Sequence, residues 1–141
     1  MRFLDTNVLI YAVSAAPEDA KKRNRAIELL SKSDLALSVQ VLQEFYVQST
    51  HPSRLGALTH AEAVNFIEAL QRFPVQPNTL AVMRAALVLC ERFGLSYWDS
   101  AILSAASACN CDAVYSEDFS AQQDYGGLSV INPFSHIDSR T

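Results

Sequence analysis

Short apolar runs at residues 2–4, 35–38, 113–115 and 128–131 are separated by long stretches whose apolar residues recur at helical spacing. Strands that alternate with helices build a parallel sheet covered on both faces. The pattern therefore predicts a three-layer α/β/α fold around a central, mainly parallel sheet of four to five strands. At 141 residues the chain has the size of one domain, 1–141, and enough length to bury a real core.

The helices can be placed by their punctuation. A short helix is expected over 6–14. Pro17-Glu18-Asp19 opens a second, with Ile27, Leu29 and Leu30 on its buried side. A third runs over 39–49 and carries Glu44. Thr59-His60-Ala61-Glu62 reads as a capping box for a fourth helix. Residues 74–77 allow one brief extended segment. Asn78 is the expected cap of a long helix that Gly94 stops, and Ser96 that of a last helix holding Asp99 in its first turn.

Against this frame, four carboxylates stand within apolar surroundings: Asp5 after Phe3-Leu4, Glu44 before Phe45-Tyr46, Asp99 after Tyr97-Trp98, and Asp118 before Phe119. An ionised acid buried without a partner is costly. One such acid is explained by a helix cap; four at the edges of core elements call for a common reason. In a parallel sheet, ligands sit beyond the carboxyl ends of the strands, near a switch in strand order. Asp5 and Asp118 each follow a predicted strand, and Glu44 and Asp99 lie on helices able to lean over the same edge. If the four converge, their repulsion needs a cation, and no lysine follows Lys32 to supply it near the later acids. A divalent metal is the simplest answer, and an all-oxygen donor set selects Mg²⁺ or Mn²⁺ over zinc. Asp5 and Asp99 are the first choices as direct ligands. Glu44 and Asp118 complete the set, and Asn7 and Ser116 are placed to hydrogen-bond these carboxylates and fix their rotamers.

Composition narrows the alternatives. A charged fraction of 18% with half the residues hydrophobic fits a compact globular chain. The net charge of −4 gives no support for broad, nonspecific nucleic-acid binding. The four acids alone equal that excess, so a local basic patch remains compatible with it. The apolar runs fall well short of the ~20 residues that span a bilayer. A strand starting almost at Met1 leaves no room for a signal peptide, and three cysteines do not make a disulfide framework. The expected location is the reducing cytoplasm, with no membrane association.

Taken together, Asp5-Thr6-Asn7 after an opening strand, Glu44 on an early helix, Trp98-Asp99-Ser100-Ala101-Ile102 and Ser116-Glu117-Asp118 after a late strand resemble the PIN-domain family of metal-dependent ribonucleases. The closing Ile131-Asn132-Pro133-Phe134 is similar to the ends of its bacterial members, so the likeness spans essentially the whole chain. Within the family, small proteins of this length resemble VapC-type toxins of toxin–antitoxin pairs. The resemblance implies Mg²⁺- or Mn²⁺-dependent endoribonuclease activity, with catalytic and metal-binding roles at Asp5, Glu44, Asp99 and Asp118. It also implies a homodimer and a small antitoxin partner. At the fourth position Glu117 and Asp124 are neighbours of Asp118, which the Ser-x-acid spacing favours.

Two other classes compete with this reading. A phosphoaspartate enzyme would use Asp5 as nucleophile, but wants an acid where Asn7 stands and a lysine late in the chain. A PIN-like scaffold with little catalysis does not require all four acids. The basic run Lys21, Lys22, Arg23 and Arg25 reads first as the solvated face of a helix, and secondarily as an RNA phosphate contact, as does Arg54. Trp98 reads as a packing anchor, and Cys109-x-Cys111 lacks the partners of a zinc site.

Overall fold

The computed structural model describes residues 1–119 and 123–137. Five parallel strands, β1 (Arg2–Leu4), β2 (Leu35–Ser38), β3 (Val75–Gln76), β4 (Ala113–Tyr115) and β5 (Ser129–Ile131), form one sheet in the order β3-β2-β1-β4-β5. The helices are α1 (Thr6–Ala12), α2 (Ala20–Leu30), α3 (Val39–Ser49), α4 (His60–Ala69), α5 (Leu80–Phe93) and α6 (Tyr97–Ala108). α1 packs on α2 and α3, and α3 on α4; α5 packs on α6, which crosses β2, β3 and β4. The expected α/β architecture is the observed one.

Burial explains why the strands are continuous apolar runs. Phe3, Leu4, Leu35, Leu37, Val114 and Val130 are all fully or almost fully buried, as strands covered on both faces require. Val8 and Leu9 from α1, Leu29 from α2, Val41 and Phe45 from α3 and Leu103 from α6 close over them.

The strand order fixes where a ligand site belongs. From β1 the chain steps outward to β2 and β3, then crosses back to β4 and outward the other way to β5. The reversal therefore lies between the neighbours β1 and β4, and the crevice beyond their carboxyl ends is the switch point of the fold. Asp5 leaves β1 there, and Ser116 to Asp118 leave β4.

Several local expectations are corrected. The cap of α5 is Thr79, whose Oγ1 accepts from Val82 N at 3.1 Å, while Asn78 turns to Gln43. The threonine hydroxyl is the one that reaches the third amide of the helix. Gly94 ends α5 as expected, in the left-handed region at φ 66°. Pro17–Asp19 forms a separate 3₁₀ turn before α2. Ile27 is 51% exposed, because α2 buries the stripe of Ala26 and Leu29 instead. No helix among the described residues is long and apolar enough to cross a membrane.

Candidate active site

Asp5 is placed by two backbone events. Its amide continues the sheet by donating to Tyr115 O at 3.0 Å, and its carboxylate caps α1 by accepting from Thr6 N at 2.7 Å. The residue is thus held at the seam of β1 and β4, only 6% exposed. Ser116, fully buried on the β4 side, donates from Oγ to Asp5 Oδ2 at 2.7 Å. The same hydroxyl accepts from Asp118 N at 3.0 Å and from Asn7 Nδ2 at 3.2 Å. Asn7 Nδ2 also reaches Asp118 Oδ2 at 3.0 Å and Asp5 Oδ2 at 3.5 Å. Asn7 and Ser116 therefore tie Asp5 and Asp118 into one hydrogen-bonded unit. Asn7 Oδ1 is buried and has no partner among the described residues, which leaves an oxygen acceptor inside that unit.

Glu44 approaches from α3. Thr6 Oγ1 donates to its Oε2 at 2.9 Å, and Gln40 Nε2, one turn earlier on α3, to its Oε1 at 2.8 Å. Thr6 and Gln40 were not singled out in the sequence. Thr6 had a signal in its place between Asp5 and Asn7, and Gln40 in its i, i+4 relation to Glu44. Asp99 lies in the first turn of α6, its amide capped by Ser96 Oγ at 3.1 Å. Its carboxylate has no hydrogen-bond partner among the described residues.

Asp5, Glu44, Asp99 and Asp118 all border one cavity of about 360 Å³, together with Asp19 and Glu117. The electrostatic consequence falls on Asp5. Burial, helped by the charges of Asp118 and Glu44 and opposed by the bonds from Ser116 and Thr6, raises its carboxyl from 3.8 to about 6. A cation in the cavity would relieve that pressure, and the hard oxygen donors match Mg²⁺ or Mn²⁺. The donor set thus fits a divalent ion. Among the described residues no three acid, histidine or cysteine side chains are already gathered closely enough to hold one ion. The acids share a cavity and are held around it by separate hydrogen bonds.

Contrary to the expectation from the sequence, a lysine does reach one acid of the late segment. Lys22, on α2, donates to Glu117 Oε2 at 3.1 Å, and Tyr11 OH donates to Glu117 Oε1 at 2.5 Å. Lys22 Nζ also contacts Tyr11 OH at 3.2 Å and lies 4.9 Å from the centre of its ring. Burial alone would lower the Lys22 ammonium, but the bonds to Glu117 and Tyr11 outweigh it and hold the group above its ordinary value. Glu117 is thus neutralised from within. Asp124 is spent on a turn, accepting from Gly127 N at 2.6 Å. Asp118 is the acid of the three that bonds to Asn7.

The basic run of α2 is likewise not a plain solvated face. Arg23 donates to Ser14 O, and Arg25 to Pro133 O and Glu28. Trp98 is not a packing anchor: it is 66% exposed and borders the acidic cavity.

The fold has close counterparts among known structures. A toxin–antitoxin complex from Klebsiella pneumoniae contains a chain that matches with a TM-score of 0.68 at 18% identity, covering 94% of this chain and 98% of that one. VapC20 of Mycobacterium tuberculosis, a sarcin-ricin loop cleaving toxin, matches with a TM-score of 0.66 at 18% identity, covering 84% and 90%. A chain of VapBC2 from Rickettsia felis, bound to a DNA fragment from its promoter, matches with a TM-score of 0.62 at 18% identity, covering 92% and 96%. No curated protein sequence matches significantly. The PIN domain family matches residues 2–126. With that match over most of its length, and the fold to accompany it, the chain belongs to the PIN domain family.

Proposed function

We propose that this protein, read as a single PIN domain over residues 1–141, is a Mg²⁺- or Mn²⁺-dependent endoribonuclease. We further infer that it is the toxin of a VapBC-like pair, neutralised by a small antitoxin, homodimeric and cytoplasmic. The observation that carries the nuclease reading is the meeting of Asp5, Glu44, Asp99 and Asp118 at one cavity on the switch point of the sheet. The toxin reading is supported by the size of the chain and by its structural likeness to proteins found in toxin–antitoxin complexes.

In this reading Asp5 and Asp99 hold the metal directly. Glu44 and Asp118 ligate a second ion, bind through water, or orient the attacking water. A bound divalent ion supplies Lewis-acid stabilisation of the phosphodiester and lowers the pKa of a water. The chain supplies the positioning. Ser116 and Asn7 lock the rotamers of Asp5 and Asp118, and Thr6 and Gln40 lock that of Glu44. Apolar side chains exposed on α5, among them Leu80, Met83 and Leu87, offer a second copy a face to cover.

The test is cleavage of a small-RNA pool with Mg²⁺, Mn²⁺ or chelator, beside an identically prepared Asp5→Ala protein. Metal-dependent cleavage absent from the variant is expected. Cleavage surviving in Asp5→Ala would remove the site, and no cleavage with either metal would move the fold toward a scaffold role. For the toxin reading, expression without a partner should arrest growth; unimpeded growth contradicts it.

A further inference from the structure

Two side chains that line the acidic cavity, Arg54 and Trp98, are unused by the chemistry above. Arg54, in the loop after α3, is the cavity's only lysine or arginine among the described lining residues. It stands among six acids yet makes an ion pair with none, since the ion pairs of the described residues are Lys22–Glu117 and Arg25–Glu28. Among the described residues, its side chain makes one hydrogen bond, from Nη2 to Ile10 O in the last turn of α1, at 3.4 Å. That leaves most of its planar N–H fork for an acceptor from outside.

Trp98 borders the same cavity. Its backbone is pinned near the first turn of α3, where its carbonyl accepts from Gln40 Nε2 at 3.5 Å, and Tyr97 meets its ring edge to face at 5.0 Å. The rest of the indole is open, and it also lines a groove along α3 with Gln43, Glu44, Val47 and Gln48. Gln40, Glu44 and Gln48 are one turn apart on the same helix. Gln40 meets the Trp98 carbonyl near the start of α3, Glu44 stands at its middle, and Gln48 lines the acidic cavity together with Arg54 towards its end, a run of roughly 12 Å from Gln40 to Gln48 at the helical rise.

We propose that Trp98 and Arg54 mark the two ends of a track for single-stranded RNA across the acids, Trp98 stacking on a base and Arg54 binding a backbone phosphate. The proposal rests on the nuclease reading and specifies how its substrate is held. Stacking on an open aromatic face requires an unpaired base, so single-stranded RNA is the occupant. A guanidinium suits a phosphate, and it offsets the repulsion that six acids exert on a polyanion.

Trp98 is the only tryptophan in the chain, so its fluorescence reports the track directly. The experiment compares wild type, Trp98→Ala, Trp98→Phe, Arg54→Ala and Arg54→Lys on a short single-stranded RNA of mixed sequence and on its duplex. The wild-type emission should change on adding the single strand under chelator, and far less with the duplex. Trp98→Ala and Arg54→Ala should each raise KM by about tenfold with little change in kcat, and the conservative variants should recover part of it. Arg54→Ala should also lower the salt slope of binding by about 0.7. If Arg54 only braces α1, melting temperature will fall while KM and the salt slope stay put. Wild-type cleavage with KM unchanged in both alanine variants overturns the track and leaves the nuclease standing. A Trp98→Ala protein altered only in sedimentation assigns the ring to a contact between copies and overturns its role here. A wild type that neither cuts nor binds RNA removes the nuclease reading and the track with it.

Discussion

Two groups of acids sit side by side at the carboxyl edge of β1 and β4, and the protein treats them differently. Glu117 is given a cation of its own: Lys22 and Tyr11 close on both of its oxygens. Among the described residues, Asp5, Glu44 and Asp118 receive only neutral donors, from Ser116, Asn7, Thr6 and Gln40, and the Asp99 carboxylate receives none. The first arrangement is complete without a ligand. The second is arranged but not neutralised, and its deepest member carries the cost as a carboxyl raised to about 6. Neighbouring acids in one fold thus separate into a strut, which ties α1 and α2 to the loop after β4, and a site, whose charge is left for something else to balance.

The comparison is broken most sharply on the site side. Asp99→Ala or Asp5→Ala should reduce RNA cleavage by at least about a hundredfold, since the interactions lost stabilise charge in the transition state. Steady-state cleavage rates beside circular dichroism of the folded variants check this.

The next effect is on stability. The Asp5 carboxyl titrates near 6 in the fold and near 3.8 in the unfolded chain, so the native state holds that proton more tightly. Its contribution is fully present below about pH 4 and is lost as pH rises through 6, on the order of 3 kcal/mol. Urea unfolding of metal-free protein across that window should show the decline. Asp5→Asn should abolish it, and saturating Mn²⁺ should offset it.

Ser116→Ala removes one donor and one shared acceptor from the Asp5–Asp118 unit. A loss of about 2 kcal/mol in urea unfolding is expected, with the Asp5 titration moving further upward because the Ser116 bond is what restrains it. The smallest effect belongs to the strut. Lys22→Met should cost about 1 kcal/mol, given that both partners keep some exposure. A double-mutant cycle with Glu117→Gln should recover most of it as coupling. Metal affinity should be little changed, which is what distinguishes strut from site.

How much of this could be read from the sequence depends on the range of the interaction. β1, β2, α3 and β4 lie where the residue pattern put them, because strand runs and caps such as Thr59 and Ser96 are local signals. The PIN likeness was legible for the same reason: each acid travels with its own flanking string. The errors came from across the fold. Nothing near Lys22 announces Glu117, 95 positions later, so the pairing has no signal in the local sequence. Ile27 and Trp98 are large and apolar, but identity does not say how far neighbours cover them; both stay more than half exposed. The capping mistake at Asn78 is of a smaller kind, two adjacent polar residues competing for one role, decided by which side chain reaches the amide of Val82.

The central claim is that the four acids, unlike Glu117, form a site completed by a divalent cation. Calorimetric titration of Mn²⁺ into metal-free wild type, Asp99→Ala and Lys22→Met tests it most directly. Saturable binding by wild type and Lys22→Met, lost or strongly weakened in Asp99→Ala, is the predicted result. Absence of binding by wild type, or equal binding by wild type and Asp99→Ala, would contradict it.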